Sequence, residues 1–199
     1  MPTPTPTPDN NKVEFGISNL HVGTYSVDSN GNVTLGTPYH QKGAVSLSLD
    51  PESDSNDFFA DNIKYWSGYS DNGFSGTVKA ARYDTAFKIQ FLGYAALNGG
   101  GIGKVKTAVK PNVYLAFETE GDVEKRRVLL LNATLGEIKR EFATIEDKKE
   151  PTTEELDVNV IGDNGTGLTI VSYKPTDTGY STLFTEPTMP ALATGSGSS

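Results

Sequence analysis

Residues 43–83 read GAVSLSLDPESDSNDFFADNIKYWSGYSDNGFSGTVKAARY, and this stretch decides the fold. Val45, Leu47 and Leu49 alternate with Ala44, Ser46 and Ser48, the period-two pattern of a strand with one buried and one wet face. DPESDSND follows, a polar segment from Asp50 to Asp57 with four acidic residues and no lysine. It reads as part of a long inter-strand loop over about 50–62. The chain re-enters through Phe58, Phe59, Ala60, Asp61 and Asn62 and continues into the aromatic run Tyr65, Trp66 and Tyr69. Asn72-Gly73 is a turn signal, and a second alternating strand leaves through Phe74, Val78 and Ala80. A connection this long is functional or disordered. The aromatic residues at its base argue for docking against another protein.

Working outward, 199 residues suit one domain with tails. The expected division is an N-terminal arm over 1–11, a β domain over 12–174 and a flexible C-terminal arm over 175–199. Nine Phe, nine Tyr and one Trp supply bulky apolar surface, and 21 Gly with 11 Pro suit a β-rich chain full of turns. No stretch approaches the roughly 18 apolar residues of a membrane-spanning helix. The first residues carry neither a basic start nor an apolar segment, so no secretory signal is expected, and folding in a cytoplasm is. Zero cysteines exclude disulfides and thiolate sites. A net charge of −8 argues against gripping nucleic acid, which needs clustered Lys and Arg. It does not argue against a protein past which nucleic acid slides, because an acidic wall repels phosphates.

Upstream, Val13 to Ile17 and His21 to Val27 read as strands, and Asp28-Ser29-Asn30-Gly31 as a hairpin turn into Val33 and Leu35. Downstream, about 84–93 reads as the one short helix. Asp84 is placed to cap it, Phe87, Phe91, Ala86 and Ile89 to form its apolar face, and Gly93 to end it. Residues 97–111 form a glycine-rich, locally basic loop. GGGIGK fails the phosphate-loop pattern at Asn98 and Val105, and the dinucleotide pattern at Lys106.

Val113 to Glu120 is a strand with Val113, Leu115 and Phe117 on one face and Tyr114, Ala116 and Glu118 on the other. A tight turn at Gly121-Asp122 forces Lys125 to Leu131 to return as its antiparallel partner. Arg126 and Arg127, with four acids, gather at this hairpin tip, for cross-strand pairing or for docking to a neighbouring copy. Ile138–Ile145, Thr152–Ile161 and Leu168–Tyr173 complete a mainly β chain.

The residue types offer no reactive centre. His21 and His40 sit in no metal-ligand spacing, no GxSxG elbow is present, and the carboxylates fall in turns and loops. No catalytic, cofactor-binding or metal residue is expected, and the chain is not read as an enzyme.

Several short motifs occur in a fixed order: Asn11-Lys12-Val13-Glu14-Phe15-Gly16, Gly43-Ala44-Val45-Ser46-Leu47 and Phe58-Phe59-Ala60-Asp61-Asn62. Gly73-Phe74-Ser75-Gly76, Leu92-Gly93, Ala116-Phe117-Glu118, Gly121-Asp122 and Arg126-Arg127 follow. In this combination, over residues 11–161, the chain resembles the major tail protein family of long-tailed (siphovirus) bacteriophages and prophages. It departs from the family at Phe59 and Phe74, where Tyr is common.

The resemblance implies a β-sandwich or barrel-like tail-tube fold with a flanking helix and a structural virion protein. Its copies would form hexameric rings stacked into a hollow tail tube, assembled in the bacterial cytoplasm. Tail tip and tail terminator proteins would be its partners, and DNA would pass through the lumen without specific binding. It implies that the segment from Asp50 through Asp57 to Asn62 reaches the adjacent ring, with Phe58 and Phe59 as anchors. Ala60, Asp61 and Asn62 would lie where it rejoins the sheet, with Tyr65, Trp66, Arg126 and Arg127 as further contacts. Ser46, Ser48 and Glu118 are the expected lumen-lining residues. The alternative from another class is a cell-surface carbohydrate-binding or adhesin module, with Tyr65, Trp66 and Tyr69 stacking on sugars.

Overall fold

The computed structural model describes residues 15–60, 63–121, 124–139 and 153–193; for Phe15, residues 55–60 and 64–67, and Tyr69 it describes the backbone alone. The expected N-terminal arm, Val13, Asp61, Asn62, Asp122, the strand beyond Lys139 with its charged link, and the last six residues lie outside the described residues.

The elements in chain order are β1 (Phe15–Val27), β2 (Val33–Leu35), β3 (Tyr39–His40), β4 (Ala44–Ala60), β5 (Ile63–Ala80), α1 (Thr85–Phe91), β6 (Tyr94–Ala96), β7 (Ile102–Lys104), β8 (Val113–Glu120), β9 (Arg127–Lys139), β10 (Glu154–Val160) and β11 (Ile170–Tyr173). The chain is mainly β with one short helix. The main sheet runs β2-β1-β8-β9-β10-β5-β4, with β3 added to β1 and β11 to β9, and β6 pairs with β7 alone. All its pairings are antiparallel.

Local chemistry explains the elements. The Asp28 carboxylate accepts from the Asn30 and Asn32 N–H groups at 2.8 Å each, closing the turn between β1 and β2. The expected strands at Val13–Ile17 and His21–Val27 are one strand, β1, kinked where Gly16 and Asn19 take positive φ. The expected separate strands at Lys125–Leu131 and Ile138 are also one strand, β9. It bends at Asn132, whose φ is 50° and whose side chain bonds Asn112 and the Gly162 carbonyl.

The expected alternation in β4 is corrected at its first residues. A bulge between Ala44 and Ser46 turns Val45 outward, 52% exposed, and places Ala44 with Leu47 and Leu49 against the core. One extra residue inverts every face before it.

Asp84 caps α1, accepting from the Phe87 N–H at 2.8 Å, and Gly93 follows at a positive φ of 69°. Phe87 and Phe91 are buried, but Ala86 and Ile89 face solvent rather than extending the apolar stripe as expected. Lys88 is buried in their place, its ammonium held at 3.1 Å from Glu154 of β10. A helix of two turns has room for only one narrow buried stripe, and the ion pair rotates it.

The core has two sides. On one, Tyr83, Phe87, Phe91 and Leu92 pack over Val113, Leu115, Phe117, Leu130, Leu156 and Val158. On the other, Tyr25, Tyr114, Ala116, Leu129 and Leu131 pack beneath Leu183, Phe184 and Met189. The central strands β8 and β9 are thus buried on both faces, and the packed body runs past residue 174, with Leu183 only 2% exposed.

A candidate assembly interface

β4 and β5 form the longest elements of the molecule, 17 and 18 residues. The described part of the stretch expected as a long loop over 50–62, Asp50 to Ala60, is instead a continuation of β4, and β5 is long enough to pair with it. They pair from Ala44↔Ala80 through Pro51↔Phe74 and Phe58↔Trp66 to Ala60↔Ile63. Alternation of small polar and acidic residues hides a strand from hydrophobic patterning, because neither face needs to be buried. The expected turn at Asn72-Gly73 is a bulge within β5, opposite Glu52. Gly73 takes φ 90°, its N–H donates to Asp71 Oδ1 at 2.9 Å, and Asn72 Nδ2 donates to Asp54 Oδ2 at 3.1 Å. A Cβ at Gly73 would lie 2.1 Å from the Val160 carbonyl oxygen, so the chain crosses β10 there only as glycine.

The body ends at this bulge. β10 pairs with β5 only from Ala80 to Phe74. Beyond it, residues 53–60 and 63–71 pair solely with each other among the described residues. The result is a two-stranded arm with both outer edges open. An isolated two-stranded ribbon is marginal in water. The arm carries Asp54, Asp57 and Asp71 against Lys64. Ile63 at its end is 69% exposed. Phe58 and Trp66 are cross-strand partners, and Tyr65 is the extra residue of a second bulge beside Phe59.

At its root, β4 is the last strand of the sheet, and among the described residues its outer edge bonds to no strand. That edge faces β1 across a cleft lined by Gly16, Ile17, Ser46, Leu47, Leu49, Phe117 and Thr119. Ser46 is half-buried there, while Ser48 and Asp50 are exposed. The sheet thus curls toward a barrel, with β1 and β4 approaching each other but not hydrogen-bonded to each other among the described residues.

Glu118 and the two arginines lie elsewhere. The Arg127 guanidinium bonds Glu118 at 2.9 Å, donates to the Tyr180 carbonyl at 2.5 Å, and sits 4.1 and 4.3 Å from the Tyr180 and Phe184 ring centroids. Arg126 is 3.6 Å from Glu124. Glu118 and Arg127, expected as lumen-lining and contact residues, are thus engaged within the chain under its C-terminal segment.

Sequence spacing did not show that β1 and β3 bring His21 and His40 opposite each other. Their rings stack at 4.7 Å, and Phe184 stacks on His21 at 4.4 Å. Among the described residues no group of three or more His, Asp or Glu could hold a metal ion, and no helix is long and apolar enough to cross a membrane. No protein-family model matches the chain, and no curated protein matches it significantly.

Proposed function

We propose that this chain is a structural subunit that polymerises, and that its product is the hollow tail tube of a long-tailed bacteriophage, as the resemblance to major tail proteins implies. The observation that carries the reading is the arm of β4 and β5, which extends past the last residue paired to β10 with both outer edges unpaired among the described residues. Long open edges invite pairing with another chain. A monomer would keep this one at a cost in aggregation, whereas a subunit uses it.

The unpaired edge of β4 and the opposite end of the sheet at β1–β2 are different surfaces. Edge-to-edge pairing between them is therefore head-to-tail, the geometry that closes rings. Such pairing covers the open edge of β4 in each copy with a neighbour's backbone. The arm then reaches along the stacking direction, with Phe58 and Phe59 as anchors, since aromatic residues carry most interface energy.

Hexameric rings, tail tip and terminator partners, and a place in the virion follow from the resemblance. The role is mechanical rather than catalytic. Ser46 and Ser48 are the proposed lumen residues, and the net charge of −8 leaves DNA free to slide. Negative-stain electron microscopy of the purified chain across a concentration series tests the reading. Rings or hollow tubes support it; a monomer at every concentration counts against it.

A further inference from the structure

Between Asp84 and Glu118 the chain has no acidic residue and four lysines, Lys88, Lys104, Lys106 and Lys110. In a chain of net charge −8 this is a strong local inversion. The structure gathers most of it on one small platform, the β6–β7 hairpin and the turn to Lys110. The platform is held rigid. Lys104 Nζ donates to the Leu92 carbonyl at 2.7 Å, and Lys110 Nζ to the Leu135 and Gly136 carbonyls at 3.0 and 2.6 Å. Both lysines share one carboxylate, Glu137, at 2.8 Å each, so this cluster keeps a net positive charge. Lys106 adds another, exposed.

The same platform presents apolar side chains to solvent. Leu97 is 54% exposed, Val105 39% and Val109 94%. A flexible loop would bury or scatter such residues; here backbone bonds from Val105 to Gly93 and from Ala108 to Val105 fix them. A rigid, apolar surface with a basic rim is what a protein partner docks on at low entropic cost.

We infer that this platform receives the β4–β5 arm of a second copy of this chain. The arm carries Asp54, Asp57 and Asp71 against one lysine, Lys64, with Asp50 and Glu52 at its root, the complement of the platform's charge. Exposed Ile63 at the arm's end is the apolar match for Val109. The inference takes its partner, a second copy, from the assembly reading above, and adds the receiving surface.

The chain lacks cysteine, so a disulfide reports the contact without background. Full-length Ile63→Cys and Val109→Cys variants are purified separately, mixed, oxidised, and run on a non-reducing gel. Both positions are exposed, so neither substitution disturbs the core. The expected result is a cross-linked dimer in the mixture well above its level in either variant alone. Its yield should fall as salt screens the contact. Adding Lys106→Glu to the Val109→Cys partner should weaken the association roughly tenfold, and Asp57→Lys on the other partner, close to the arm's tip, should restore part of it.

A mixture no more cross-linked than its components overturns the inference. Electron microscopy of the same samples separates this from the wider reading. Rings or tubes without the cross-link overturn the platform alone. Neither tubes nor cross-link overturns both, and a cross-link without tubes supports the platform while removing the tube.

Discussion

Asp84 ties two elements, α1 and β3, together with one carboxylate. It caps α1 through the Phe87 N–H at 2.8 Å and accepts the hydroxyl of Tyr39, whose pKa is pushed up to about 12 by burial and by that bond. Burial acts to raise the Asp84 pKa, but the Phe87 and Tyr39 hydrogen bonds outweigh it, and the folded value is lowered. A depressed carboxylate pKa stabilises the fold at neutral pH and loses that contribution as pH falls through the folded value. Asp84→Ala should therefore cost about 1 kcal/mol at neutral pH and less in acid, measured by urea unfolding at both. An equal cost at both would mean that the charge plays no part. Gly73→Ala should cost more than about 1 kcal/mol, because the added Cβ meets the Val160 carbonyl oxygen at a positive φ. Asp84 was readable from residue type and spacing alone. The Val45 bulge was not, because nothing in GAVSL marks where a neighbouring strand slips by one residue.

Among the elements, the β4–β5 arm is the one whose contacts within the chain do not account for its length. The double substitution Phe58→Ala and Phe59→Ala is expected to leave a soluble, folded chain that no longer assembles. Circular dichroism with electron microscopy checks both halves, and tubes from the double variant would remove the anchors. The segment after β11 is an element of the opposite kind, fastened by Arg127 between Tyr180 and Phe184 and by Phe184 on His21. Burial first, then the charges of His40 and Arg127, lower the His21 pKa, against the Asn19 carbonyl and Glu118, which raise it. A histidine with a lowered folded pKa stabilises above its ordinary value and loses that contribution as pH falls. The melting temperature should thus drop between about pH 7.5 and about pH 5.5, and His21→Phe should flatten that slope. An unchanged slope would show that other groups cause it.

At the scale of the whole molecule, the sheet is a middle layer. α1 covers one face, and residues Leu183 to Met189 cover the other. Removing that second cover leaves Tyr25, Tyr114 and Leu131 facing water. Leu183→Ala is therefore expected to cost roughly 2–5 kcal/mol, read from urea unfolding. A cost below about 1 kcal/mol would mean that this segment rides on the fold rather than belonging to its core.

The sequence by itself determined the β class, the one capped helix, the β1–β2 turn and the run of β8. Each of these rests on local signals, side-chain period and capping chemistry, which act within a few residues. Tertiary structure alone decided that the polar stretch from Asp50 onward is paired strand. A ladder of backbone bonds needs a partner strand but no hydrophobic face. It also decided that β8 is buried on both sides, and that Glu118 and Arg127 turn inward beneath Phe184. Both depend on the segment around Tyr180 to Phe184, more than 50 residues further along the sequence, packing back over the sheet, and such long-range meetings leave no local trace.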